Sequence, residues 1–311
     1  MERIFIHDVV ARDGLQIEPA WVPTERKIEL IDRLSATGVA KIEATSFVSP
    51  KAVPNLRDAE AVMAGINRNR AVTYVALVPN ARGAERALSS DVDEIALVVS
   101  VSETHNRANV RRSVAESFAG FSDVFDVLRG HRQTVVGALA TSFGCPFEGV
   151  IPEQQVLDGV ARYVELGVDA VTLADTTGMA NPRQVEALVK RVRARWPDVE
   201  LALHFHNTRG MGLANVLAGL AAGVTHYEGC LGGLGGCPFA PGATGNICTE
   251  DLVHMLHSMG YETGIDLDLL LATSRRLGEI VGHELPGQVV KAGKATDLHP
   301  SPREVDLATV R

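Results

Sequence analysis

The stretch "AVTLADTTGMANPRQVEALVKRVRARWPDVELALHFH", residues 170–206, decides the fold. It opens on a β-branched and apolar run, "AVTLADT" (170–176), and closes on a second, "LALHFH" (201–206). Between them Asn181 stands as a helix N-cap, with Pro182 at the first helical position, where a missing N–H costs nothing. Strand, capped helix and strand at this spacing form the alternating unit of an α/β protein.

Outward from this stretch the unit recurs. Strand-like runs lie at 3–10, 41–47, 72–78, 94–101, 134–141 and 226–233, which makes eight in all. Between them the apolar residues recur near every 3.6 positions, as in "TERKIELIDRLSATG" (24–38) and "PEQQVLDGVARYVELG" (152–167). Thr24 reads as an N-cap, and Gly38, Gly167 and Gly223 read as left-handed helix ends. Eight alternations without a linker predict a (β/α)8 TIM barrel with an additional C-terminal helix. A doubly wound open sheet would need fewer strands and a phosphate-binding glycine turn, and "ARDGLQIE" (11–18) is not one. The expected organisation is one barrel domain over residues 1–290 and a loosely held C-terminal tail over 291–311.

With 46% hydrophobic and 22% charged residues, the 311-residue chain carries enough apolar surface for a large core. A net charge of −8 without a basic cluster argues against nucleic acid, and no apolar run is long enough for a membrane span. The N-terminus leaves no room for a targeting peptide. Cys145, Cys230, Cys237 and Cys248 fit neither a disulfide framework nor a zinc pair, so reduced thiols and a cytoplasmic location are expected.

Barrel chemistry sits at the carboxyl ends of the strands. The polar residues collect there: Arg12 and Asp13 after strand one, Glu43, Thr45 and Ser46 on strand two, Asp175 and Thr176 on strand six, His204 and His206 on strand seven. Side chains alternate along a strand, so His204 and His206 share one side. As a lone residue each histidine reads as a hydrogen-bonded rim group; as a pair beside an Asp they read as metal ligands. Asp13 could ligate a cation while Arg12 holds a developing oxyanion. Glu43 reads as a salt-bridge partner, as a catalytic acid, or as both if it orients Arg12. The segment "GCLGGLGGCPFAPGATGN" (229–246), with seven glycines, reads as an ordered or gating loop. Its Cys237 is a candidate acid/base or nucleophile, or an inert thiol; Cys145 either packs or lines the mouth.

The motifs "RDGLQ" (12–16), "IEATSFVSPK" (42–51), "GCPFEG" (144–149), "LADTTG" (173–178), "HFHNTRG" (204–210) and "GLGGCPFAPGATGN" (233–246) together resemble the 3-hydroxy-3-methylglutaryl-CoA (HMG-CoA) lyase family, over about residues 4–285. The H-x-H-N and R-D motifs also occur in the isopropylmalate and homocitrate synthase branches, whereas the Cys-containing glycine loop is more specific to the lyases. The resemblance implies Mg2+ or Mn2+ held by Asp13, His204, His206 and Asn246. It implies Arg12 for the enolate, Glu43 in support of it, Asp175 as a further acid and Cys237 in proton transfer. The expected reaction is retro-Claisen cleavage of an acyl-CoA thioester to acetyl-CoA and acetoacetate, a step of leucine degradation, in a homodimer. Asp13 and His204 are the nearest candidate bases for the hydroxyl proton. A related thioester such as citramalyl-CoA is the alternative substrate. An isopropylmalate-type condensation is the alternative reaction, although those enzymes usually carry a further domain for which this chain is short. Ile17, Pro19, Asn207, Arg209, Met211 and Glu228 depart from the family pattern, and Arg209 in particular is expected to bear on the substrate.

Overall fold

A computed structural model describes residues 2–236 and 245–300. Eight parallel strands close into a barrel in sequence order: β1 (Phe5–Asp8), β2 (Lys41–Ser46), β3 (Thr73–Leu77), β4 (Glu94–Ser100), β5 (Thr134–Ala140), β6 (Ala170–Asp175), β7 (Glu200–Phe205) and β8 (His226–Gly229). The seam is β1 against β8, with Phe5 opposite His226 and Asp8 opposite Gly229. Each of the eight runs expected from the sequence matches one strand to within a few residues, and β7 begins one residue before its run, at Glu200.

The helices are α1 (Thr24–Ser35), α2 (Ala59–Gly65), α3 (Ala81–Ser89), α4 (Glu103–Val110), α5 (Val114–Leu128), α6 (Glu153–Leu166), α7 (Pro182–Arg195), α8 (Gly212–Ala221), α9 (Thr249–Ser258), α10 (Leu267–Val281) and α11 (Val289–Ala292). Asn181 caps α7 as expected, accepting from the Gln184 amide with Pro182 at N1. Thr24 does not cap α1. Pro23 holds that position, Thr24 is already helical, and its hydroxyl donates to Asp58 instead. Two helices separate β4 from β5, and α10 is the additional C-terminal helix, packed on α1 and α9.

The expected boundary at residue 290 falls inside α11. The first part of the expected tail is tied down: Asp251 accepts from the Gln288 and Val289 amides, Lys294 pairs with Asp268, and the Ala295 amide meets His254. The core between strands and helices is apolar, and one glycine is required there. A Cβ on Gly137 of β5 would lie 2.5 Å from the ring of Tyr163 on α6, whose hydroxyl donates to the carbonyls of Leu97 and Ala138. Inside the barrel, Val75, Ala96, Val136 and Ala170 form an apolar half on β3–β6. The opposite half, from β7, β8, β1 and β2, carries His204, Glu228, His7 and Glu43, all within the barrel wall and mostly buried. That asymmetry points the chemistry to one side of the mouth.

Candidate metal centre and active site

β1 ends in a single π-helical turn, Val10–Gly14, which packs on β2. Such a turn widens the backbone and marks functional sites in many proteins. It carries Arg12 and Asp13 to the carboxyl end of the barrel. Arg12 Nη1 donates to Asp13 Oδ1 at 2.6 Å, and Arg12 Nη2 meets Glu43 Oε2 at 2.6 Å. Glu43 lies beside a bulge in β2, where the register with β3 shifts between Glu43 and Thr45; a bulge re-aims a side chain. So Glu43 is the salt-bridge partner that fixes Arg12. Arg12 Nε is buried without a hydrogen-bond partner.

His204 lies on β7 and His206 just beyond it, where it forms an isolated antiparallel bridge with Asn246. One ligand atom each from Asp13, His204 and His206 lie within 4.8 Å of one another. Asn246 Nδ2 donates to Asp13 Oδ2 at 2.7 Å and to the Leu234 carbonyl at 3.0 Å, which leaves Asn246 Oδ1 buried and unpartnered. His206 Nδ1 is likewise buried and unpartnered. Two orphaned acceptors beside a carboxylate and a second imidazole fit a divalent cation, since buried polar atoms are otherwise satisfied.

Electrostatics agree with that fit. Burial would raise Asp13, but Arg12, His206 and His204 outweigh it and hold the carboxyl near 2. Burial, with His204 adding to it, lowers His206 to about 3, so its ring is neutral and its lone pair free. Burial opposes a charged His204, but the hydrogen bond to Glu228 and the charges of Glu228 and Asp13 raise it. Burial raises Glu43 to about 7 despite Arg12.

Arg12, Asp13, His204, His206 and Glu228 line a cavity of about 890 Å³. Val98, Ala138, Ala140 and Ala174 line its apolar wall, while Lys51, Arg111 and Arg112 contribute positive charge elsewhere in its lining. Asp175 stands apart from the mouth. Thr172, Ala174 and Thr176 line the cavity, so strand alternation turns Asp175 to the other side of β6. Its Oδ1 accepts from the Met179 amide and its Oδ2 is buried without a partner; burial raises it to about 6. Cys237 lies outside the described residues. Cys145 is buried and its thiol donates to Ser102, so it packs.

Arg209, expected near the substrate, spends its guanidinium on the Thr177 and Gly178 carbonyls and braces the loop after β6. Asn207 accepts from the Gly212 amide and orients the start of α8 rather than binding a metal. Ile17 is exposed. Glu228, noted in the sequence only as a departure from the family pattern, lies with its Oε2 2.9 Å from His204 Nδ1. Its position two residues after His226 on β8, next to β7, was the available signal.

The HMGL-like family model matches residues 3–277. A hydroxymethylglutaryl-CoA lyase of Bacillus subtilis is 44% identical over 95% of this chain and 99% of its own. An (R)-citramalyl-CoA lyase of Chloroflexus aurantiacus is 42% identical over 94% of this chain and 96% of its own. The solved structure of an HMG-CoA lyase from Acinetobacter baumannii, in complex with coenzyme A and 3-methylmalate, superposes with a TM-score of 0.93 at 54% identity, covering 96% of this chain and 98% of that one.

Proposed function

Because the chain belongs to the HMGL-like family, we propose that it is a divalent-metal-dependent carbon–carbon lyase cleaving an HMG-CoA-type thioester to acetyl-CoA and acetoacetate. The observation that supports this reading is the clustering of one ligand atom each from Asp13, His204 and His206 within 4.8 Å, with Arg12 and Asn246 hydrogen-bonded to Asp13, beside a cavity of about 890 Å³. Asp13, His204, His206 and Asn246 would hold Mg2+ or Mn2+, which when bound supplies Lewis-acid polarisation to the oxygens of a chelating substrate.

The chain's own groups do the rest. Asp13 takes the proton of the substrate's 3-hydroxyl, since His204 has both ring nitrogens committed, one to Glu228 and one to the cation; the electrons of that O–H bond form the new ketone as the C2–C3 bond breaks. Arg12, fixed by Glu43 and Asp13, faces the thioester oxygen on which the enolate charge collects. Cys237 returns a proton to the enolate carbon and so releases acetyl-CoA. Asp175, which the resemblance assigns as a further acid, is turned to the other side of β6 and acts on the site through charge felt at His204 rather than by touching substrate. Lys51, Arg111 and Arg112 supply charges that suit the phosphates of coenzyme A. The same reading extends to a homodimer acting in leucine degradation in the cytoplasm; among the described residues no helix is long and apolar enough to cross a membrane.

A panel of CoA thioesters offered to the Mg2+- or Mn2+-loaded protein tests the assignment. Fastest cleavage of HMG-CoA supports it. Preference for citramalyl-CoA would move the chain to the second reading, which the similarity to the Chloroflexus enzyme favours. Cleavage of neither would sink both.

A further inference from the structure

We propose that Glu228 is a positioning residue of the metal centre, setting cation affinity through His204; this rests on the metal-dependent reading above. Glu228 on β8 is the direct register partner of His204 on β7. Its Oε2 accepts a hydrogen bond from His204 Nδ1 at 2.9 Å, and its Oε1 accepts from Thr172 Oγ1 on β6 at 2.9 Å. Both carboxylate oxygens are therefore anchored, one from the neighbouring β7 and one from β6 beyond it. With Nδ1 committed as a donor, the imidazole is fixed in the tautomer whose Nε2 lone pair is free for a cation. His204 is thus the ligand whose aim is set from behind.

Charge gives Glu228 a second effect. Arg12 offers one positive charge to both Glu43 and Asp13. With Glu228 the cluster holds three carboxylates against that single guanidinium, an excess of two negative charges when the imidazoles are neutral. A divalent cation cancels this excess, so Glu228 strengthens binding by charge as well as by orientation. An aspartate at this position would keep the charge but withdraw it from His204 by one methylene.

Spin-resonance titration of the full chain with Mn2+, without substrate, separates these effects. Glu228→Gln is expected to raise the Mn2+ dissociation constant by roughly 10–100-fold. Glu228→Asp falls between it and the unaltered protein, and Thr172→Val, which frees only Oε1, has a smaller effect. Removing one partner of the part-buried Glu228–His204 pair should also lower the melting point of metal-free Glu228→Gln, so the affinity change is the deciding readout. Affinity unchanged to within about twofold in folded Glu228→Gln would overturn the inference. So would a lower metal-free melting point with unchanged affinity, the signature of a merely structural role. Failure of the unaltered protein to bind Mn2+ would instead overturn the metal-dependent reading, and this inference with it.

Discussion

In the proposed reaction Arg12 is the residue on which the chemistry turns. It is held between Glu43 and Asp13 at 2.6 Å each, so it meets the substrate already oriented and loses little freedom on doing so. Arg12→Met should cut cleavage by roughly 10²–10³-fold, measured as release of acetyl-CoA. It should also destabilise the fold, because Glu43 is left buried without its cation. Arg12→Met combined with Glu43→Gln should recover the melting point but not the activity; recovery of both would contradict the assigned role. The residues nearest the metal point were legible because strand alternation fixes which side chains share a face, so His204 and His206 paired at once. Asp175 was not legible in its placement. Its strand end was right, but alternation sends it away from Thr172 and Ala174. Asn246 was reached only through family resemblance, since its orphaned oxygen depends on a hydrogen bond to Asp13 from 233 residues away.

At the scale of elements, the two arms of the glycine-rich loop position Asn246. Leu234 accepts from both the Asn246 amide and its side chain, and the Asn207 amide donates to Gly245. Gly245 lets the arms pass this closely, because a Cβ there would collide with the Gly233 carbonyl. Gly245→Ala should therefore weaken Mn2+ binding while leaving the far-ultraviolet circular dichroism spectrum unchanged; intact metal affinity would contradict the account. Asn181→Ala removes the α7 cap and should cost about 1 kcal/mol in denaturant unfolding without altering cleavage at full folding. The eight strands and the capped α7 were legible because period-two and period-3.6 patterns do not overlap over such lengths. Thr24 misled because capping depends on backbone entry angle, which Pro23 took over. The β1 turn and the β2 bulge left no periodic trace at all, although together they aim Arg12 and Glu43.

Over the whole molecule, the barrel gives up part of its apolar interior for a polar half on one side of the mouth, and other buried carboxyls lie beneath the loop. Asp8 accepts from Thr249 and the Val10 amide, and Glu250 from the Gly232 amide and Ser274. Burial raises Asp8 to about 7, against hydrogen bonds that lower it, and burial also raises Glu250. A carboxyl whose folded value lies above its unfolded one stabilises the fold fully below the unfolded value and loses that contribution as pH rises through the folded value. The melting point of metal-free Asp8→Asn, relative to that of the unaltered metal-free protein, should thus rise as pH climbs from about 4 through about 7, and a difference independent of pH would contradict this. The central claim is tested most directly by removing metal with a chelator, adding back Mn2+ in steps, and measuring acetyl-CoA and acetoacetate formed from HMG-CoA. The account predicts equimolar products whose rate rises with occupancy and saturates at about one Mn2+ per chain. Full cleavage by the metal-free protein, or none at full occupancy, would contradict it.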